Sequence, residues 1–72
     1  MKYCKLNNFD SEEVKWMADY ADWDLEEIKT VLPELFPDAK SIIIDSIEPE
    51  TLYAKIDGID YEITPDGEYT KL

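Results

Sequence analysis

The sequence predicts an α+β fold: two N-terminal helices followed by a three- or four-stranded antiparallel β-meander, with the helices packed on one sheet face. Three observations predict it. Apolar residues recur at helical spacing from Val14 to Leu35, the pattern changes to strand-like alternation after Ala39, and Asp57-Gly58 separates two alternating runs. No linker, repeat or low-complexity stretch interrupts the 72 residues, so residues 1–72 are expected to form a single compact acidic domain.

The first helix is announced by "FDSEEVKW". Asp10 or Ser11 can accept hydrogen bonds from the free amides of the first turn, and Glu12 and Glu13 suit the positive end of the helix dipole. The helix should run to about Ala21. "DWDLEEIKTVLPELF" then restarts the pattern, with Asp24 and Glu27 at capping-box spacing and Leu25, Ile28, Val31, Leu32 and Leu35 on one stripe. Pro33 kinks or ends this second helix and Pro37 closes it, leaving two helices joined by a tight corner.

The first helix carries apolar residues on two faces. At about 100° per residue, Val14, Met17, Ala18 and Ala21 cluster on one side, while Trp16, Tyr20 and Trp23 gather nearly opposite, among Glu12, Glu13 and Asp19. Two arrangements accommodate this. The helix is sandwiched, with the Val14 side on helix two and the aromatic side on the sheet, or the aromatics form a partly exposed stripe that anchors a protein partner.

"KSIIIDSI" is rich in β-branched residues and reads as a strand. "TLYAKI" and "IDYEIT" flank Asp57-Gly58, a two-residue hairpin signal because both turn positions favour positive φ. The register follows: Ile56 opposite Ile59, Lys55 opposite Asp60, Ala54 opposite Tyr61, Tyr53 opposite Glu62, and Leu52 opposite Ile63. Leu52, Ala54, Ile56, Ile59, Tyr61 and Ile63 then share the core face, and Tyr53, Lys55, Asp60, Glu62 and Thr64 share the other. Pro65-Asp66-Gly67 makes a second turn into a short last strand, in which Tyr69 joins the core side while Glu68 and Thr70 extend the polar face. The opening "MKYCKL" admits an additional edge strand.

Composition limits the function classes. Eighteen acids against seven lysines, with no arginine or histidine, give a net charge of −11. Nucleic acid and anionic membrane are disfavoured as direct ligands, since both require cationic groups on the protein. The nine aromatics and 44% hydrophobic content favour a folded domain over an acidic disordered segment. Cys4 is the sole cysteine, and the N-terminus has no apolar signal region, so a cytoplasmic protein fits best.

Without histidine, the common general base, the Ser-His and Cys-His pairs and the usual zinc ligand are all missing. Cys4 sits near Lys2 and Lys5 but is assigned no role. Neither Asp19/Asp22/Asp24 nor Asp57/Asp60/Glu62 matches a calcium loop, and a chain of this length leaves little room for a two-carboxylate cleft. The expectation is no enzyme, no metal and no cofactor. Asp45-Ser46-Ile47 resembles the Asp-Ser-Leu attachment site of acyl carrier proteins over three residues. In that family the serine opens a helix, whereas here Pro49 and a strand pattern follow.

Acidity and the aromatic stripe remain. Same-face residues two apart on a strand lie about 6.6 Å apart, and phosphates along one DNA strand lie roughly 6–7 Å apart through space. Rows such as Asp60/Glu62 or Glu12/Asp19/Asp22 are therefore expected to imitate a phosphate track. The net charge also exceeds the magnitude of about 2–8 that solubility alone asks of a small domain. In size and composition over its whole length, the chain resembles small acidic phage-encoded anti-CRISPR proteins, some of which mimic DNA. That resemblance implies a non-enzymatic inhibitor in the host bacterial cytoplasm. It would bind a basic DNA- or RNA-binding protein complex, foremost a CRISPR effector, and block target DNA binding. The acidic helix face (Glu12, Glu13, Asp19, Asp22, Glu26) and sheet face (Asp60, Glu62, Glu68) would supply charge, with Trp16, Tyr20 and Trp23 as anchors. The alternative is an antitoxin-like interaction module or regulatory subunit that uses the aromatic helix face.

Overall fold

A computed structural model of the chain describes residues 5–72. The expectation for Cys4, and residues 1–4 of the edge strand that "MKYCKL" admits, lie outside the described residues. The elements, in order, are β1 (Lys5–Leu6), α1 (Glu12–Tyr20), α2 (Leu25–Leu35), β2 (Ser41–Glu48), β3 (Thr51–Ile56), β4 (Ile59–Ile63) and β5 (Tyr69–Lys71). The sheet has the order β1-β2-β3-β4-β5. β2 to β5 form the expected antiparallel meander, and β1 adds a parallel edge beside β2. The two helices occupy the connection that this parallel pair requires.

Both helices are N-capped where the sequence predicts, but the capping box at Asp24 and Glu27 is only half formed, since the Glu27 carboxylate does not reach back to the Asp24 amide. Ser11 Oγ accepts the Val14 amide at the start of α1, and Asp24 Oδ1 accepts the amides of Glu26 and Glu27 at the start of α2. α2 continues through Pro33 to Leu35. Pro33 has no amide to give the Lys29 carbonyl, so the helix continues at the cost of that one bond. A Schellman motif ends α1: the Trp23 amide donates to the Ala18 carbonyl (2.8 Å) and the Asp22 amide to that of Asp19 (3.3 Å), with Asp22 at φ 62°.

The hairpin register is as expected, from Ile56 opposite Ile59 to Leu52 opposite Ile63. Asp57 and Gly58 both take positive φ. Asp57 also fastens the hairpin to the start of β2, its carboxylate accepting the amides of Lys40 and Ser41. A bulge at Asp45 shifts the β2 register between Ile44 and Ser46. The extra residue turns Ser46 out of the core phase and lets Ile47 follow Ile42 and Ile44 inward. Ser46 therefore lies within a strand, opposite Tyr53. Beyond the two residues of β1, the Asn8 side chain takes over the ladder, accepting from the Ile44 amide and donating to its carbonyl, both at 2.8 Å.

The core lies between the helices and one sheet face. Val14, Ala18 and Ala21 of the α1 region and Ile28 and Leu32 of α2 meet Ile42, Ile44, Ile47, Leu52, Ala54, Ile56 and Ile63, with Phe9 buried among them. Ile59 shares the core phase but remains 40% exposed at the mouth of the hairpin. Tyr69 is partly exposed, yet its ring packs on Phe36 at 4.5 Å and meets Tyr61 edge-on at 5.8 Å.

Candidate functional site

The aromatic stripe divides. The Val14 side of α1 faces the sheet, so the sandwiched arrangement does not form and the opposite side is open to solvent. Trp16 and Tyr20 are 67% and 77% exposed and stack on each other, centroids 5.6 Å apart and planes 21° apart. Trp23 lies beyond the end of α1, where the Schellman reversal carries it inward. It packs against the core, and its indole Nε1 donates to the Glu48 carbonyl at 2.6 Å.

That bond marks one end of the molecule, where three chain segments converge: the helix corner (residues 19–27), the β2–β3 turn (48–51) and the β4–β5 turn (64–68). They hold nine acids, Asp19, Asp22, Asp24, Glu26, Glu27, Glu48, Glu50, Asp66 and Glu68, and no lysine. The rest of the chain sets the other nine acids against all seven lysines. Nearly all of the net charge therefore belongs to one end.

Between these segments lies a groove of about 200 Å³. Ile28, Leu32, Leu52 and Ile63 form its buried floor, Trp23, Val31, Pro49 and Pro65 its accessible apolar surface, and Asp22, Asp24 and Glu27 contribute the carboxylates. Asp24 is occupied in capping α2. The Asp22 and Glu27 side chains have no hydrogen-bond or ion-pair partner among the described residues.

The described ion pairs lie mostly away from this end. Lys29 binds Asp10 at 2.8 Å and reaches Glu26 at 3.7 Å. The Lys29 hydrogen bond, reinforced by its charge, holds the Asp10 carboxyl below its ordinary value, and the same bond raises Lys29. On the outer sheet face Lys55 stands 4.0 Å from Asp60.

The expected site residues separate accordingly. Asp19, Asp22, Trp23, Glu26 and Glu68 belong to the acidic end, and Trp16 and Tyr20 lead toward it along α1. Glu12 and Glu13 sit at the opposite end of α1, and Asp60 and Glu62 lie on the sheet face away from the helices. Glu12 and Asp19 are two turns apart, about 10.5 Å of axial rise, with Lys15 and Trp16 between them, so α1 carries no continuous row at phosphate spacing. Asp24, Glu27, Glu48, Glu50 and Asp66 were not among the expected site residues. Their signal in the sequence is the missing lysine in each of their segments.

Among the described residues no three His, Cys, Asp or Glu side chains gather as a metal site, and no helix is long and apolar enough to cross a membrane. Comparison with protein-family models, with curated proteins and with solved structures finds no match to this chain.

Proposed function

We propose that this chain is a non-enzymatic inhibitor that presses its acidic end against the basic groove of a nucleic-acid-handling bacterial protein, a CRISPR effector complex foremost, and keeps target DNA out. One observation carries the reading: nine acids and no lysine in the three segments that meet at one end. A soluble domain needs no such segregation, whereas a concentrated patch of one sign steers and holds a partner of the other. The mimicry is of a charged patch, since α1 offers no phosphate-spaced row. The test is capture from bacterial lysate on the immobilised chain at low salt, eluted with double-stranded DNA. Release of a defined DNA-binding complex by DNA supports the reading. Capture that ignores both DNA and salt contradicts it.

The exposed Trp16–Tyr20 stack favours a second reading, an interaction module or regulatory subunit whose aromatic pair anchors a partner. Under that reading Trp16→Ala abolishes capture and raised salt leaves it intact.

A further inference from the structure

We propose that the groove at the acidic end is an arginine pocket, seating one arginine side chain from an apolar-flanked segment of the basic partner. This occupant deepens the function proposed above and rests on it.

The groove's two halves call for different chemistry. Trp23, Val31, Pro49 and Pro65 offer accessible apolar surface over the buried Ile28, Leu32, Leu52 and Ile63, while the Asp22 and Glu27 carboxylates stand at the same groove without a partner among the described residues. A purely apolar occupant would strip water from those carboxylates and return nothing to them. An anionic occupant is repelled by all three acids. An amphipathic cation satisfies both halves: its methylene stem covers the apolar surface and its charged head meets the carboxylates.

Arginine fits better than lysine. Its guanidinium is planar and weakly hydrated, stacks on aromatic rings and pairs with carboxylates through two parallel hydrogen bonds. The groove supplies both partners, an indole and the Asp22 and Glu27 carboxylates, and the Trp23 indole is held in place by its bond to the Glu48 carbonyl. Lysine's compact, strongly hydrated ammonium would lose its water without gaining a stacking partner. The volume, about 200 Å³, is below the roughly 300–1,000 Å³ of sites that enclose drug-sized molecules, which suits a single side chain. A general acidic patch selects any basic surface, whereas this pocket selects where on that surface the chain docks.

The test uses the intact ¹⁵N-labelled chain and an acetylated, amidated Gly-Leu-Arg-Leu-Gly peptide. Shift changes should centre on the Trp23 indole N–H and the amides of Ile28 and Val31. Replacing the peptide's arginine by citrulline, which keeps the shape and removes the charge, should weaken binding about tenfold, and replacing it by lysine about threefold. Val31→Trp fills the groove without altering any charge and should abolish these shifts. The surface variant D22N/E27Q should retain the fold and lose the preference for arginine over citrulline. Equal binding of the arginine and citrulline peptides overturns the pocket, as do shifts centred on Trp16 and Tyr20, or undiminished binding to Val31→Trp. If the peptide does not seat in the groove while DNA still releases a captured complex, the pocket is wrong and the proposed function stands. If arginine-selective seating is found and no DNA-released complex exists, the pocket stands and the proposed function is wrong.

Discussion

Asp22 and Asp57 are the two non-glycine residues with positive φ among the described residues, at 62° and 52°, yet replacing each by glycine should have opposite effects. The left-handed conformation costs an ordinary L-residue about 1–2 kcal/mol, less for Asp, and glycine repays part of any relief through its greater freedom when unfolded, about 0.5–1 kcal/mol. At Asp22 the carboxylate has no partner among the described residues and lies in a crowd of acids, so removing it forfeits no contact and relieves repulsion. Asp22→Gly should stabilise the fold by about 0.5–1 kcal/mol, or about 2–8 °C in Tm for a chain of this size. At Asp57 the backbone relief is the same, but the carboxylate accepts the Lys40 amide at 2.9 and 3.2 Å and the Ser41 amide at 2.9 Å. Hydrogen bonds to a charged group contribute about 1.5–3 kcal/mol each, and water replaces part of that at an exposed turn, so Asp57→Gly should destabilise by about 1–2 kcal/mol. Thermal melts followed by circular dichroism measure both. Asp22→Asn removes the charge while keeping a residue that tolerates positive φ, so its melt isolates the electrostatic part. The reasoning is refuted if Asp22→Gly melts at or below the parent temperature, or Asp57→Gly above it.

The Asp10–Lys29 pair gives a pH signature. Because the folded Asp10 carboxyl is depressed, its contribution is present above its ordinary value of 3.8 and is lost as pH falls through the lower folded value. Because Lys29 is raised, its contribution holds below 10.5 and is lost as pH rises through the higher folded value. Asp10→Asn should therefore lower Tm near neutral pH, by an amount that vanishes in strong acid; a deficit that persists there contradicts the assignment. Salt should raise the parent Tm, since screening shortens the Debye length from about 30 Å at 0.01 M to about 8 Å at 0.15 M and relieves the acidic end; a salt-independent Tm contradicts the charge segregation. Trp16→Ala should change stability by less than about 0.5 kcal/mol, as at other surface sites. Trp23→Ala should cost about 1–3 kcal/mol, below the roughly 3–5 kcal/mol of a fully buried aromatic. Denaturant titration checks the pair, and the reverse order would contradict the burial described.

The hairpin was legible because its determinants are local. Asp57-Gly58 sets the turn, and two alternating runs then agree on a core face, so five cross-strand pairs follow from adjacent residues. The fate of the α1 aromatics was not legible. Helical periodicity identifies two apolar faces, but which one the sheet covers depends on where β2 lies after the chain has reversed at Asp22. The parallel edge is equally non-local, pairing Lys5 with Ser41 and extended by an asparagine side chain acting as backbone. The candidate site is the extreme case. Asp22, Glu48 and Asp66 belong to separate turns and become neighbours only through the meander, so the sequence displays the lysine-free segments while the fold assembles them into one patch around a groove.

In the proposed function the placement of the acids, and not their number, makes the binding surface. The most direct measurement compares two variants of identical net charge in the DNA-eluted capture. One neutralises Asp22, Glu27, Glu48 and Asp66 at the acidic end; the other neutralises Glu12, Glu13, Glu34 and Asp45 elsewhere. The first should lose the captured complex and the second should retain it. Equal loss in both, or retention in both, would contradict the proposed function.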